Sequence, residues 1–432
     1  MSTQVRHKIE AMLKRALDGE QVDTNVKIGE SPLAQLHIIV RPKGSEQVDV
    51  DLPALEAKLA SIVRDWRDEL REQLVKRHGE EAGLKLADCY GRALPAGYIE
   101  EVSPGIAATD VEHLAALAGP DDLRLSLYRS RRKDGGLRFK LYRQLDDIPL
   151  SDALPMMENM GLRVISEHPY KVDAASGLAY IQDFEVESLQ GELDIDAIDE
   201  DFEDAFARVW RGDAENDGFN RLILTAGLSW RQVAMLRGYC KYLLQVGVPF
   251  SQSYMEATLA RYPLLARLLV ELFEARFDPR TVSESDAEIK RGMSRFGAQL
   301  KSLSADDEAA MTALKSVVEA RAKGRDAQVH AARNALLGLM DRVSSLDEDR
   351  ILRSFIGVID ATLRTSYYID YKGGLRKDGG PSDYVSYKLD SSKVPDLPKP
   401  RPYREIWVCG PRVEGIHLRF GPVARGGLRW SD

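Results

Sequence analysis

The clearest alternation of hydrophobic and polar residues lies in two short stretches of the first third of the chain. LRLSLYR at 123–129 and LRFKLYR at 137–143 place a hydrophobic residue at every second position, which is typical of strands with one buried face. The segment SRRKDGG between them ends in Asp-Gly-Gly, and glycine accepts the positive φ of a tight turn at little cost. These stretches therefore predict a β-hairpin.

The residues after this hairpin continue the pattern of a small sheet with a covering helix. LSDALPMMENMG at 150–161 has helical spacing and ends at Gly161, and two further strand-like stretches follow at 162–172 and 178–187. The order strand, strand, helix, strand, strand is typical of an antiparallel sheet with helical cover, which is the α+β class. We predict one such unit over residues 109–190.

The first hundred residues predict a second small α+β unit. A helix is expected over 7–17, strands are expected over 25–29 and 33–41, and Asp51 with Pro53 suits the start of a long helix. We expect the apolar stripe of that helix to pack on the small sheet. The stripe consists of Leu55, Leu59, Ile62, Val63, Trp66, Leu70 and Leu74.

From about residue 191 to 370 the pattern is almost wholly helical. Ser229 with Gln232, and Ser345 with Glu348, have the spacing of a capping box at a helix start. A buried face is predicted for the second of these helices, formed by Ile351, Leu352, Phe355, Ile356, Ile359 and Leu363.

One part of this helical region is rich in charge and alanine. The stretch 283–335 has few large apolar residues. We predict an exposed helical hairpin there, which would form a contact surface between subunits.

The last sixty residues return to strands. Short strand-like stretches occur at 383–390, 403–410 and 415–421, and the four prolines of 391–402 exclude regular structure. The whole chain is therefore predicted to be α+β, with small antiparallel sheet units, then a mainly helical segment, then a β-rich segment. The predicted domains are 1–108, 109–190, 191–370 and 371–432.

Composition and charge narrow the class of protein. The 432 residues are 44% hydrophobic and 30% charged, with a net charge of −8, which argues against a general nucleic-acid binder. Three cysteines lie far apart without a C-x-x-C pair, so a disulfide framework or zinc ribbon is not supported. No apolar stretch is long enough to be the core of a signal peptide or a membrane span. We predict a cytoplasmic protein that binds no membrane.

Common motifs for cofactors, metals and nucleophiles are missing from the sequence. It contains no G-x-G-x-x-G after a strand, no Walker-type lysine loop, no H-E-x-x-H and no G-x-S-x-G. The seven histidines are scattered singly, which favours surface or structural roles over metal binding. No catalytic, cofactor-binding or metal-binding residue is therefore predicted within these 432 residues.

The four letters GGLR occur three times, in three different settings. The copy at 135–138 belongs to the predicted hairpin turn, and the copy at 373–376 lies in a glycine-rich loop, for which a phosphate cradle is the alternative. The third copy follows a strand and is preceded by Arg425. A guanidinium beside Gly426 and Gly427 suits a substrate carboxylate, because glycine leaves the main-chain amides accessible. A plain strand-ending turn with an exposed arginine remains the alternative.

Several longer segments resemble a known family. The chain is similar to the large bacterial NAD-specific glutamate dehydrogenases in ENMGLRVISEHPY (158–170), WRGDAENDGFNRLILTAGLSWRQVAMLR (210–237), SLDEDRILRSF (345–355), VPDLPKPRPYREIWV (394–408) and RVEGIHLRFGPVARGGLRWSD (412–432). The resemblance covers essentially the whole chain.

This resemblance implies an oxidoreductase of amino-acid catabolism. Its reaction would convert L-glutamate, NAD and water to 2-oxoglutarate, ammonium and NADH. In the broader superfamily the corresponding loop reads lysine-glycine-glycine and its lysine binds a substrate carboxylate, and Arg425 occupies that place here. The family also implies ACT-like or PAS-like regulatory units, an amino-acid effector and a homo-oligomer.

In the family the catalytic lysine and the NAD-binding portion follow the GGLRW segment. The chain is therefore predicted to be a fragment that holds the regulatory and helical part and the start of the catalytic domain, and to be inactive when isolated. The alternative is a stand-alone module that senses amino acids and oligomerises.

Overall fold

The structure, a computed structural model, describes eight stretches of the chain: residues 3–27, 35–42, 51–63, 66–130, 136–189, 195–279, 308–369 and 384–422. The chain divides into two compact units. Unit 1 contains Met1–Ala116 and Tyr170–Ala179, and unit 2 contains Leu117–Pro169 and Tyr180–Asp432. The GGLR copy at 373–376 lies outside the described residues.

Unit 1 begins with a helix and a two-stranded sheet. Helix α1 spans Thr3–Ala16 and packs on strand β1, Gly19–Lys27, which pairs antiparallel with β2, Gln35–Pro42. The predicted first strand was placed too late, because pairing already starts at Gly19. The helices that follow are α2 (Leu52–Val63), α3 (Trp66–His78), α4 (Glu80–Tyr90), α5 (Ala96–Glu101) and α6 (Pro104–Ala115).

The apolar stripe predicted for one long helix is divided between α2 and α3. Asp51 caps α2 as expected, since its Oδ1 accepts a hydrogen bond from the Ala54 amide at 3.1 Å. Leu70 and Leu74 are fully buried, but α3 packs against α4 and α6, so the expected packing on the small sheet is wrong for this part. Gly83 of α4 permits the contact, because a Cβ there would lie 2.4 Å from Cα of Val75.

Unit 2 contains the predicted hairpin and most of its sheet. Strands β3 (Leu123–Arg129), β4 (Leu137–Gln144), β5 (Leu162–Ala174) and β6 (Gly177–Ser188) form a sheet in the order β3-β4-β6-β5, and helix α7 spans Leu150–Asn159. Strands β3 and β4 pair antiparallel, with Leu125 opposite Leu141 and Leu127 opposite Phe139. The alternation in the sequence therefore predicted the hairpin correctly, although Lys140 and Tyr142 on the other face of β4 are fully buried as well.

The mainly helical part of unit 2 follows this sheet. Its helices are α8 (Ile195–Trp210), α9 (Arg221–Ala226), α10 (Trp230–Val246), α11 (Gln252–Arg261), α12 (Pro263–Phe277), α13 (Glu308–Ala320), α14 (Arg325–Met340) and α15 (Leu346–Ala361). Helix α8 packs on the sheet, where Phe139 meets Phe202 and Phe206 edge to face at 5.2 and 5.0 Å between ring centres.

The two predicted capping boxes have different outcomes. At α10 both reciprocal hydrogen bonds between Ser229 and Gln232 are present. At α15 only Ser345 acts as a cap, because the Glu348 carboxylate instead accepts hydrogen bonds from Arg261 and Tyr262 of the neighbouring helix end. The sequence pattern could not reveal this competition between a local partner and a distant one.

Two further expectations for the helical part are corrected by the structure. Leu363 lies in strand β7, Thr362–Thr365, and is exposed, because α15 ends at Ala361. The hairpin predicted over 283–335 lies partly outside the described residues. Its described helices α13 and α14 bury one face each, and α14 packs on α12, so this part is not simply exposed. The buried side chains include Leu314, Val317, Leu336 and Leu339.

A second four-stranded sheet lies near the C-terminus. Strands β7 (Thr362–Thr365), β8 (Val385–Leu389), β9 (Arg404–Gly410) and β10 (Val413–Arg419) form an antiparallel sheet in the order β10-β9-β8-β7. The proline-rich stretch between β8 and β9 has no helix or strand, as predicted. The α+β class with small antiparallel sheets is therefore confirmed.

Helix α10 carries this second sheet. The indole of Trp407 donates a hydrogen bond to the Gly238 carbonyl at 2.9 Å. A Cβ at Gly238 would lie 2.9 Å from the hydroxyl of Tyr387, so the close contact requires glycine there. Leu418 and Phe420, near the end of β10, are exposed.

None of the described helices is long and apolar enough to cross a lipid bilayer.

Glu203 of α8 contacts the edge of the sheet formed by β3, β4, β6 and β5. Strand β3 is outermost, and the amide of Leu127 donates to the Glu203 carboxylate at 2.8 Å. This contact satisfies an edge amide that would otherwise need water. Burial, helped by the nearby Asp199 and Glu200, raises the pKa of Glu203 to about 7, although the Leu127 amide opposes the shift.

We predict that Glu203 makes the protein less stable as pH rises from about 4.5 to about 7. In this window the folded state binds a proton that the unfolded state, with its ordinary pKa of 4.5, has lost. Glu203→Gln keeps an acceptor for Leu127 and should reduce this pH dependence, measured as the free energy of urea unfolding at several pH values. The exposed Glu158→Gln in α7 is the control, and equal pH dependence in both variants would contradict the prediction.

Candidate functional site

The predicted substrate contacts lie just beyond the described part of unit 2. Arg425, Gly426 and Gly427 are outside the described residues, which end at Pro422 in this region. Strand β10 leads directly to them. The Arg419 side chain folds back at the strand end, where its Nε donates to the Gly421 carbonyl at 3.0 Å and its Nη2 to that of Pro422. Arg419 therefore fixes the main chain that enters the predicted loop.

A buried arginine forms the centre of the polar contacts behind this sheet. Arg237 of α10 is 3% exposed. Its Nε and Nη2 donate to the two carboxylate oxygens of Asp217 at 2.7 and 2.8 Å, and Nη2 also donates to Asn220 at 2.8 Å. Such a two-point ion pair offsets much of the cost of removing the charge from water. Burial lowers the pKa of Arg237, but the Asp217 carboxylate outweighs it and the pKa is raised.

Asp217 is held by the local chain as well as by the arginine. It precedes a 3₁₀ turn, Gly218–Asn220, and its side chain accepts the Phe219 amide at 3.1 Å. Gln252 of α11 also donates to Asp217 at 3.3 Å. Aspartate at the start of a helical turn is a common cap, and here the same carboxylate neutralises a buried cation.

A second ion-pair group connects the helical part to β10. The ammonium of Lys241 in α10 lies 2.8 Å from Glu215 and 2.6 Å from Glu414, which is in strand β10. The three side chains border a depression of about 340 Å³ together with Gln245 and Gln252. Hydrogen bonds to both glutamates outweigh partial burial and raise the pKa of Lys241.

The raised pKa of Lys241 does not suit a base for imine chemistry. Amine catalysis of this kind needs a lysine whose pKa is lowered toward neutral pH. Lys241 instead stays protonated and joins two acidic groups from distant parts of the sequence. Its role in this geometry is to hold the loop before α9 against the start of β10.

A buried acid completes the underside of the sheet. Glu405 of β9 is 2% exposed, and the Tyr242 hydroxyl of α10 donates to its carboxylate. Burial raises the pKa of Glu405, and the hydrogen bond from Tyr242 opposes that shift only in part. The alternation of Glu405, Trp407 and Cys409 places all three on the covered face. That pattern was available in the sequence and could have identified Glu405 as an inward-facing acid.

Metal binding has no candidate among the described residues. No group of three or more histidine, cysteine, aspartate or glutamate side chains there has a geometry that could hold a metal ion.

Five family models match successive parts of the chain. They are the glutamate dehydrogenase ACT2 domain at 1–67, helical motif 2 at 73–117, the ACT3 domain at 122–198, helical motif 3 at 214–279, and the catalytic domain of bacterial NAD-glutamate dehydrogenase at 335–432.

Curated relatives match the chain from end to end. Proteins named NAD-specific glutamate dehydrogenase are 40% identical in Halomonas elongata, 36% in Pseudomonas aeruginosa and 33% in Mycobacterium tuberculosis, each over 100% of this chain. The chain is similar to a segment of the NAD-specific glutamate dehydrogenases. It spans about a quarter of the length of these relatives, at 24%, 24% and 25% respectively.

The residues that form these polar contacts belong to two different matched segments. Arg237, Asp217 and Lys241 lie in the helical motif 3 match, whereas Glu405 and Glu414 lie in the catalytic-domain match. The contacts made by Lys241 and Tyr242 therefore join the two matched segments within unit 2.

We predict that Asp217→Asn destabilises unit 2 by about 3 kcal/mol, because it leaves the buried Arg237 without its countercharge. Urea unfolding followed by circular dichroism measures the change. The control is Glu187→Gln, which breaks the exposed pair with Arg163 at 3.7 Å and should cost at most about 1 kcal/mol. Equal destabilisation by the two substitutions would refute the central role of Asp217.

Proposed function

We propose that this chain is part of an NAD-dependent glutamate dehydrogenase. The reaction is the oxidative deamination of L-glutamate by NAD and water to 2-oxoglutarate, ammonium and NADH. The observation that carries the proposal is the similarity to NAD-specific glutamate dehydrogenases along all 432 residues, including the catalytic-domain match at 335–432.

Arg425 is the proposed contact for a substrate carboxylate. Its planar guanidinium can donate two parallel hydrogen bonds, and Gly426 and Gly427 can add main-chain amides. Support comes from its place after β10, a strand whose end is fixed by Arg419 and whose start is fixed by the Lys241–Glu414 pair. Both contacts restrict where the loop can begin.

The residues that bind NAD, and the catalytic lysine, are proposed to lie outside these 432 residues. The sequence has no G-x-G-x-x-G after a strand, and the one lysine considered above, Lys241, has a raised pKa. The isolated chain is therefore proposed to bind no NAD and to have no activity.

The stand-alone sensing module is the less favoured alternative, since it leaves the catalytic-domain match unexplained. Within the glutamate dehydrogenase proposal, the ACT matches support an amino-acid effector. A cytoplasmic location is supported by Cys89, Cys240 and Cys409, which form no disulfide. The domains 1–108, 109–190, 191–370 and 371–432 remain the proposed division.

A chimera tests the proposed activity. The segment of the Halomonas elongata enzyme that matches this chain is replaced by the chain, and glutamate-dependent NADH formation is measured. We expect the chimera to be active and the isolated chain to be inactive. Arg425→Ala in the chimera should lower kcat/KM by roughly ten- to a hundredfold, the loss of one charged hydrogen-bond contact. Arg425→Lys should retain more activity because it keeps the charge.

The control for this substitution is Arg412→Ala, which removes an exposed guanidinium from the turn between β9 and β10. It should leave kcat/KM unchanged. NADH formation by the isolated chain would contradict the division of the site between this chain and other residues. A folded but inactive chimera would contradict the glutamate dehydrogenase proposal itself.

A homo-oligomer is proposed because the stretch 283–335 is predicted to be a contact surface between subunits. The exposed face of its described part carries charged side chains. Lys315 and Glu319 of α13, for example, are strongly exposed. Light scattering should give a mass at least twice the 48.3 kDa of one chain, falling at high salt as ionic contacts are screened. A monomer mass at every protein concentration and salt would remove the proposal.

A further inference from the structure

A cavity of about 800 Å³ opens between α3 and α4 of unit 1. Small-molecule sites typically have volumes of roughly 300–1,000 Å³, so a small metabolite fits. Charged side chains from both helices border the cavity. They are Arg67, Asp68 and Arg71 of α3, and Asp88 and Arg92 at and just after the end of α4, beside Gly91.

One wall of this cavity is fixed by a hydrogen bond between the helices. The Nε of Arg67 donates to the Gly91 carbonyl at 2.9 Å, which is a main-chain acceptor at the C-terminal end of α4. Gly91 itself is buried, so the bond attaches the start of α3 to a rigid position. The side chain of Arg67 is therefore held in place before any ligand arrives.

The other charged side chains of the cavity are Arg71, Arg92, Asp68 and Asp88. In the stretches of chain that the structure describes, Arg71 and Arg92 form no ion pair, and neither do Asp68 and Asp88, although all four border the same space. All four are exposed, so each is hydrated in the free protein. Opposite charges that share a cavity without pairing leave room for a ligand that carries both signs.

Each helix presents one group of each sign. Asp68 and Arg71 lie three positions apart on α3, and Asp88 and Arg92 lie four positions apart along α4 and its end, so each pair projects from one helix face. A guanidinium can donate two hydrogen bonds to a carboxylate, and an aspartate can accept from an ammonium. A free α-amino acid carries one carboxylate and one ammonium, so it has a partner for each kind of side chain in the cavity.

We propose that the cavity between α3 and α4 binds a small α-amino acid, with Arg71 and Arg92 on its carboxylate and Asp68 and Asp88 on its ammonium. Counting Arg67, the lining has one excess positive charge, which favours an amino acid with a second carboxylate. The proposal does not depend on the glutamate dehydrogenase assignment, because it concerns binding to unit 1 alone.

Calorimetry on the complete 432-residue chain tests the proposal with glutamate, aspartate, alanine and glutarate. Glutarate has the two carboxylates of glutamate but no ammonium. We expect an acidic amino acid to bind more tightly than alanine or glutarate, with an affinity that falls as salt rises. Arg71→Gln and Arg92→Gln should each weaken the binding at least tenfold, and Arg15→Gln, an exposed change elsewhere in unit 1, should not.

Three outcomes would overturn the proposal. The first is no binding of any amino acid, and the second is equal affinity for glutamate and glutarate, which would indicate a simple anion site. The third is amino-acid binding that Arg71→Gln and Arg92→Gln leave unchanged, which would place the ligand elsewhere and preserve the effector proposal for the ACT-like regions. Arg71 and Arg92 are exposed, so their substitution should leave the fold intact, and circular dichroism of each variant checks this.

Discussion

The buried ion pair between Arg237 and Asp217 is the constraint on which unit 2 depends. A guanidinium removed from water needs a countercharge with good geometry, and Asp217 supplies both of its carboxylate oxygens to Arg237. This requirement fixes the loop before α9 against α10. Once the loop is fixed, Glu215 is in position to meet Lys241, and the same helix face can receive the C-terminal sheet.

Helix α10 thus serves as the common support of two segments that match different glutamate dehydrogenase models. It contacts the second sheet through Gly238, Tyr242 and Lys241, which meet Trp407, Glu405 and Glu414 in turn. The position of this sheet determines where β10 ends, and the proposed substrate loop follows β10 in the sequence. The proposed role of the helical segment is therefore to position the substrate loop.

Local patterns were sufficient for the elements whose causes are local. The pairing of β3 and β4 follows from alternation, and the cap at Ser229 follows from its spacing to Gln232. The contacts that join elements could not be read in this way. Glu203 meets an amide 76 positions away, and Lys241 meets a carboxylate 173 positions away. Glu348 shows the same limit, because two distant donors displaced its predicted local partner.

The predicted site itself was named from a short motif and a family resemblance, and the described residues reach only to its entrance. The cavity between α3 and α4 had no sequence signal at all, since its charges come from two helices and resemble any hydrated helix surface. Only the packing of α3 against α4 shows that they share one space.

Strand β10 has a consequence for handling the protein. It is the outermost strand on its side of the described sheet, and Leu418 and Phe420 beside it are 44% and 65% exposed. A strand edge with exposed apolar side chains and no neighbour among the described strands is a template for further strands, including those of identical chains. Preparations of this segment alone should consequently be prone to self-association into β-rich aggregates, and a lysine placed along that margin is the natural remedy.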